Sequence, residues 1–334
     1  MTLTLHSEKL TFGRTNDKTT MQFLDAHQLE ALLPFSQLIG CLRQAFAGHY
    51  HVPLRHHHDY PIPGEAENGT LLLMPAWDDG QYFGVKLVAV NPHNRRQGLP
   101  TIQGIYTLFE TPTGTPVVQV DARALTNLRT AAASALASSF LSRPESKTLL
   151  MVGTGVLAPY LIRAHASVRP IERVLIWGRN LTKAKNLAAE LKNTQYSTSP
   201  VGDLSAVIAE ADIVSCATLS PNPLVMGRWL KAGQHLDLVG SFKPNMREAD
   251  DEAIRRALVY VDTLEGALKE TGDIVEPIRN GILRAEEIPG DLFSLCREEC
   301  FGRQSPKAIT LFKSVGHALE DLAAAKLAWE QVRG

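Results

Sequence analysis

The chain has 334 residues, 44% of them hydrophobic and 21% charged, and a formal net charge of -1. That length and balance describe a soluble globular protein of two domains, or of one large α/β domain, and exclude a small stapled module and a broad cationic surface for nucleic acid. Four cysteines, Cys41, Cys216, Cys296 and Cys300, show no C-x-x-C pairing, so they read as reduced thiols rather than zinc ligands or a disulfide framework.

Residues 1–20 are polar and mixed in charge, without the apolar run of a secretory signal, and no later stretch reaches about 18 uninterrupted apolar residues. A cytoplasmic protein without a membrane span is expected. Met21 opens the first amphipathic pattern, and the preceding twenty residues read either as an extra strand or as a mobile extension. From 28 to 46, Leu29, Leu32, Leu33, Leu38, Ile39, Leu42 and Phe46 fall at helical spacing, with Pro34 breaking the run and starting a second helix. The runs VPLRHHH, TLLLMPAW, YFGVKLVAV, QGIYTLFE and PVVQVDA then read as strands of an antiparallel or mixed sheet.

Near Ala122 the rhythm changes to a long alanine-rich helix, LTNLRTAAASALASSFL, whose small side chains permit close packing. Beyond it, apolar strands alternate with helical patterns: TLLMVG, APYLIRAHASV, RVLIWG, KAKNLAAELK, ADIVSCAT, HLDLVG and ALVYVD. This alternation predicts parallel strands joined by helical crossovers, a doubly wound Rossmann sheet with helices on both faces. A final helix over about 314–331 is expected to return to the first block.

Directly after TLLMV stand Gly153, Thr154, Gly155, Val156, Leu157 and Ala158, a G-x-G-x-x-A turn between a strand and a helix. The glycines let the backbone approach a pyrophosphate at a helix N-terminus, where free N–H groups and the dipole favour anions. About twenty residues on, RVLIWGRN ends without the acid that would receive a ribose 2′-hydroxyl. Arg179 and Asn180, with Thr182 and Lys183 nearby, offer donors to a 2′-phosphate instead, so NADPH is the expected cofactor and NADH a weaker one.

Isolated cations stand inside the first block's strands: Arg55 in HVPLRHHH and Lys86 in YFGVKLVAV. An unpaired buried cation is costly, so each needs an anionic partner, either a substrate carboxylate or an internal acid. Arg129 reads as the single charge of the alanine-rich helix, where an anion could meet its side chain and the helix end together. His56, His57 and His58 alternate faces on a strand, so at most two converge, and no metal site is assigned.

These residues, together with GSFKPNMREADDE, YVDTLEGALKETGDI and TLFKSVGHALEDLAAAKLAWE, resemble the ornithine cyclodeaminase and mu-crystallin family from about Met21 onward. The resemblance implies a homodimer. It implies a substrate-binding and dimerisation domain of mixed α/β structure at 1–124, completed by 314–334, beside a Rossmann NADP-binding domain at 125–313. On the family pattern Arg55, Lys86 and Arg129 grip a substrate carboxylate, and Gly153 to Ala158 form the diphosphate loop. Arg179 and Asn180 take the adenosine phosphate, and Thr218, Ser314 and Gly316 line the nicotinamide half.

Two departures matter. Where cyclodeaminases carry an aspartate in the segment matching GSFKP, this chain has Phe242, and where they carry a glutamate in the strand matching TLLLMP it has Leu72. Without these carboxylates a free diamino acid is poorly served, and an apolar wall suits the methylenes of a ring. The expected chemistry is therefore reduction of a cyclic ketimine carboxylate, as in similar bacterial members that act on Δ1-pyrroline-2-carboxylate or Δ1-piperideine-2-carboxylate. The alternatives are an amino acid dehydrogenase or opine-type reductase, an ornithine cyclodeaminase, and a crystallin-like protein that keeps the cofactor without the chemistry.

Overall fold

A computed structural model describes residues 21–192 and 194–333; the two readings of residues 1–20 lie outside them. The first block opens with β1 (Gln22–Leu24), α1 (Ala26–Leu32) and α2 (Phe35–Ala47), and Pro34 caps α2 as its sequence position predicts. Leu38, Ile39, Leu42, Ala45 and Phe46 bury one stripe of α2. Six strands follow: β2 (Tyr50–His51), β3 (His56–Tyr60), β4 (Gly69–Asp78), β5 (Tyr82–Val90), β6 (Ile102–Glu110) and β7 (Pro116–Asp121).

These form one mixed sheet in the order β1-β7-β6-β5-β4-β2, with β3 on β4 as well; β1 runs parallel to β7 and the remaining pairs are antiparallel. The register sets Met74, Lys86 and Tyr106 side by side in one row. All three are buried, so this row belongs to the inner face. Arg55 lies outside any strand, in the link between β2 and β3 that contains Pro53, where the sequence predicts a strand. Proline cannot donate to a ladder, so the link leaves the sheet there.

Helix α3 (Ala122–Leu141) joins the blocks, three residues longer at its start than the alanine pattern indicates, so Arg123 is a second charge on it. Its N-terminus is closed by Asp121, whose side chain accepts from the Arg123 and Ala124 N–H groups, so no substrate anion need cap it. It packs on α2 and β6 on one side.

The second block comprises β8 (Thr148–Val152), α4 (Ala158–Val168), β9 (Arg173–Trp177), α5 (Leu181–Glu190), β10 (Ser197–Val201), α6 (Leu204–Val207), β11 (Ile213–Cys216), β12 (His235–Leu238), α7 (Asp251–Arg256), β13 (Ala257–Val261), α8 (Leu264–Glu270), α9 (Gly272–Arg279), α10 (Leu292–Cys296) and β14 (Ile309–Lys313). Its seven strands are all parallel, in the order β10-β9-β8-β11-β12-β14-β13. The direction of winding reverses between β8 and β11, which opens a crevice at their C-terminal ends. α3 also touches α4, β12 and β14, and a buried junction locks it there: Ser134 Oγ, Ser215 Oγ and His165 Nε2 lie 2.8, 2.6 and 3.0 Å from the Asp237 carboxylate. The last helix, α11 (Ala318–Arg333), starts four residues later than the sequence pattern indicates and returns to the first block against α2, α3 and β4–β6.

Candidate active site

The G-x-G-x-x-A turn occupies the crevice between β8 and β11. Gly153 has φ 129°, and a Cβ on it would lie 2.6 Å from the Ala217 carbonyl oxygen, so only glycine fits. Gly155 faces open space, and Leu157 caps α4 without a side-chain hydrogen bond, which leaves a helix start suited to a diphosphate. Thr154 packs under Gly178 at the end of β9, where an added Cβ would meet it at 2.7 Å. Val156 is 59% exposed over the crevice. This bare glycine surface at a switch point fits a nicotinamide dinucleotide.

Past β9, Arg179 and Asn180 are both exposed. Asn180 caps α5, its amide oxygen accepting from the Thr182 and Lys183 N–H groups at 2.9 and 3.3 Å. Arg179 forms no ion pair among the described residues.

At the other end of the crevice three segments are held by buried acids. Glu248 accepts from the Thr218 N–H at 2.7 Å, the Thr218 hydroxyl at 2.8 Å and the Gly240 N–H at 2.7 Å. Burial pushes its carboxyl up to about 7 against the pull of Lys313, whose Nζ is 4.0 Å away and 3.3 Å from Asp273. Asp262 accepts from the Ser314 hydroxyl and from the Val315 and Gly316 N–H groups at 3.0, 2.7 and 2.6 Å. Gly316, with φ 84°, has no room for a side chain: its Cβ would lie 2.7 Å from Arg129 Nη1. Its carbonyl accepts from Arg55 Nη2 at 3.1 Å. Gly316 thus sits between two arginines, one from the link before β3 and one from α3.

The three expected cations do converge on this region, but none stands free. Lys86 Nζ lies 2.6 Å from Asp321 Oδ2, and Arg129 meets Glu320 at 2.7 Å and Asp321 at 3.1 Å. Arg55 pairs with Glu270 at 2.9 Å. Lys86 and Arg129 are 3% and 5% exposed, so for these two the internal acid, not an open carboxylate seat, is what satisfies the charge. Burial lowers the Lys86 ammonium to about 8 against the attraction of Asp321. Burial raises the Asp321 carboxyl, but Lys86 and Arg129 together bring it below its ordinary value. Glu320 is pushed up to about 7 by burial, with Arg129 opposing. Glu320 and Asp321 stand in the sequence within GHALED, an acidic pair in a helix otherwise rich in alanine and leucine.

Arg55 lines a cavity of about 210 Å³ together with Met74, Thr263, Glu270, Phe293 and His317. Phe242, 43% exposed beyond the end of β12, and Leu72, beside Val88 and His57 in the sheet, are not in its wall; Met74 is the β4 side chain that is. His56 and His58 share a sheet face in edge contact at 6.2 Å, and among the described residues no metal-binding cluster of His, Cys, Asp or Glu occurs.

A family model described as the ornithine cyclodeaminase/mu-crystallin family matches residues 19–334. A Δ1-pyrroline-2-carboxylate reductase of Colwellia psychrerythraea is 39% identical over 91% of this chain and 97% of its own length. The structure of Thermococcus litoralis Δ1-pyrroline-2-carboxylate reductase in complex with NADH and L-proline superposes with a TM-score of 0.87 at 34% identity, covering 94% of this chain and 98% of that one. An archaeal alanine dehydrogenase dimer with bound NAD gives 0.84 at 28% identity, over 94% and 96% of the two chains. Matched by that model over residues 19–334, the chain belongs to the ornithine cyclodeaminase/mu-crystallin family.

Proposed function

We propose that this protein reduces cyclic ketimine carboxylates, Δ1-pyrroline-2-carboxylate to L-proline and Δ1-piperideine-2-carboxylate to L-pipecolate, with NADPH as the preferred cofactor. The observation that carries this reading is the placement of Arg55: a guanidinium held on the Gly316 carbonyl, facing a cavity sized for a small ring acid, beside the segments that follow β13 and β14. The names of the relatives and of the superposed reductase support the same chemistry.

Arg55 receives the carboxylate, exchanging its Glu270 partner for the substrate. Lys86 and Arg129 act from beneath. Asp321 and Glu320 hold these two side chains in place under Gly316. Gly153, Thr154, Gly155, Val156 and Leu157 hold the diphosphate, Thr218, Ser314 and Gly316 border the nicotinamide, and the exposed Arg179 and Asn180 take the 2′-phosphate. The bound cofactor supplies a hydride to the imine carbon; the residues fix the ring against it in near-attack geometry. No carboxylate from Phe242 or Leu72 is needed, because an imine brings its own electrophilic carbon.

We infer a homodimer as well. Leu71, Leu73, Trp77, Leu87, Ile105 and the stacked pair Phe83–Phe109 lie on the sheet face opposite the buried Lys86 row, with Trp77, Leu87 and Ile105 38–40% exposed. A second copy would cover such a face. Among the described residues no helix is long and apolar enough to cross a membrane. The four cysteines are all free, which agrees with the cytoplasm as the inferred compartment.

The test is NADPH oxidation with the five-membered and six-membered cyclic imines, with ornithine, and with pyruvate plus ammonia. Turnover of the imines alone is expected. Consumption of only pyruvate plus ammonia would replace this reading with amino acid dehydrogenation, the second reading favoured by the alanine dehydrogenase superposition.

A further inference from the structure

The residue that follows Gly316 has no assigned part in binding. His317 lies between β14 and α11, half-buried, with its ring edge-on to Phe293 at 5.7 Å and its backbone N–H on the Glu320 carboxylate at 3.2 Å. His317 lines the same cavity as Arg55, as does the Phe293 against which its ring packs. Among the described residues no protein group is hydrogen-bonded to the imidazole, and Nδ1 is sealed from solvent. A half-buried imidazole without a protein partner has polarity to spare for a ligand.

We propose that the His317 imidazole accepts a hydrogen bond from the ring N–H of the substrate's iminium and thereby orients the C=N bond. The inference rests on the ketimine reading above and adds to it the group that recognises nitrogen. In a cyclic ketimine carboxylate, the nitrogen and the carboxylate are attached to the same carbon, so the groups that bind them must be neighbours. Arg55 and His317 are neighbours through Gly316, whose carbonyl anchors the arginine.

The imidazole must be neutral to accept. Burial lowers its pKa, and Arg55 and Arg129 act in the same direction, while Asp262 and Asp321 oppose them. Glu320, Glu270, Glu265 and Asp291 are the other acids facing this region. The step then balances without a proton donor in the protein. The substrate enters with its nitrogen protonated, hydride from the reduced nicotinamide adds to the carbon, and the C=N π pair becomes the nitrogen lone pair. The amine so formed keeps its N–H on His317 and takes its second proton from solvent on release.

Two flat acids separate this role from packing. Pyrrole-2-carboxylate carries an N–H beside its carboxylate; furan-2-carboxylate has the same ring with an oxygen acceptor there. By calorimetry on the cofactor-loaded protein, the wild type should bind the pyrrole acid about tenfold more tightly, the scale of one hydrogen bond. In His317→Phe the two affinities should agree within about twofold, with furan-2-carboxylate binding little changed, and His317→Gln, which keeps an acceptor oxygen, should restore part of the preference. A wild type without the preference, a preference that survives in His317→Phe, or loss of both acids in both variants would overturn the assignment. Turnover of the cyclic imine by the wild type decides the functional reading separately. Imine turnover with an unaltered binding ratio removes His317 alone, whereas a ratio that collapses without imine turnover removes the reading and leaves His317 as an N–H acceptor.

Discussion

Glu320 is a residue whose ionisation bears directly on the stability of the site. It accepts from Arg129 and from the His317 N–H, is fully buried, and has its carboxyl raised to about 7 by burial. A carboxyl raised in the folded state stabilises the protein below its unfolded value near 4.5, and that contribution is lost as pH climbs through 7. Relative to Glu320→Gln, which does not titrate, the wild type should therefore lose on the order of 2–3 kcal/mol between pH 5 and 8, measured by chemical denaturation at both values. A parallel pH dependence in the two proteins would show that Glu320 is already ionised at pH 5. At the other end of the crevice, Arg179→Asp should weaken NADPH about a hundredfold while leaving NADH within a few-fold, by fluorescence titration, since a carboxylate there repels the 2′-phosphate alone. Equal losses for both cofactors would place the 2′-phosphate elsewhere.

The element that organises the site is the link between β14 and α11. Ser314, Val315 and Gly316 are gathered by Asp262, and Gly316 is pressed between Arg55 and Arg129. Gly316→Ala would force a left-handed φ on a side chain and drive its Cβ into the Arg129 guanidinium. A loss of about 1–3 kcal/mol in stability and a larger fall in kcat/KM than in cofactor affinity are expected from denaturation and steady-state kinetics. Much of this element's surroundings was legible in advance. The strand and turn before α4 follow from G-x-G-x-x-A, and Pro34 marks the break between α1 and α2. The link's chemistry was less legible, because Gly316 owes its place to a guanidinium 187 positions earlier in the chain, and spacing carries no trace of such a contact. For the same reason the sequence leaves open whether Lys86 and Arg129 meet a substrate carboxylate or an internal acid: their acids sit on the last helix, and a sequence shows a charge without showing what stands across from it. Arg55 was misplaced onto a strand because Pro53 ends pairing there.

At the scale of the whole molecule, two sheets share α3, and among the described residues nothing covers one apolar face of the first sheet. If that face is the seam of a homodimer, Leu87→Glu on its outer side should yield a monomer by sedimentation. A wild-type monomer at micromolar concentration would end the homodimer reading. The parallel second sheet was readable from the alternation of strands and helices after 147, whereas the mixed first sheet, with a parallel β1 beside β7, depends on a pairing between residues almost a hundred positions apart, Gln22 and Val118.

The return of α11 to the first sheet also sets an order of events during synthesis. Lys86 and Arg129 emerge long before the carboxylates that neutralise them; Arg129 and Glu320 are 191 residues apart. Until α11 arrives, closing the first sheet over those two cations would bury uncompensated charge, so the front half has to wait, loosely formed, for the tail of the polypeptide. A ribosome stalled before Ala318, or a protease that clips there, would leave those two cations without their partners.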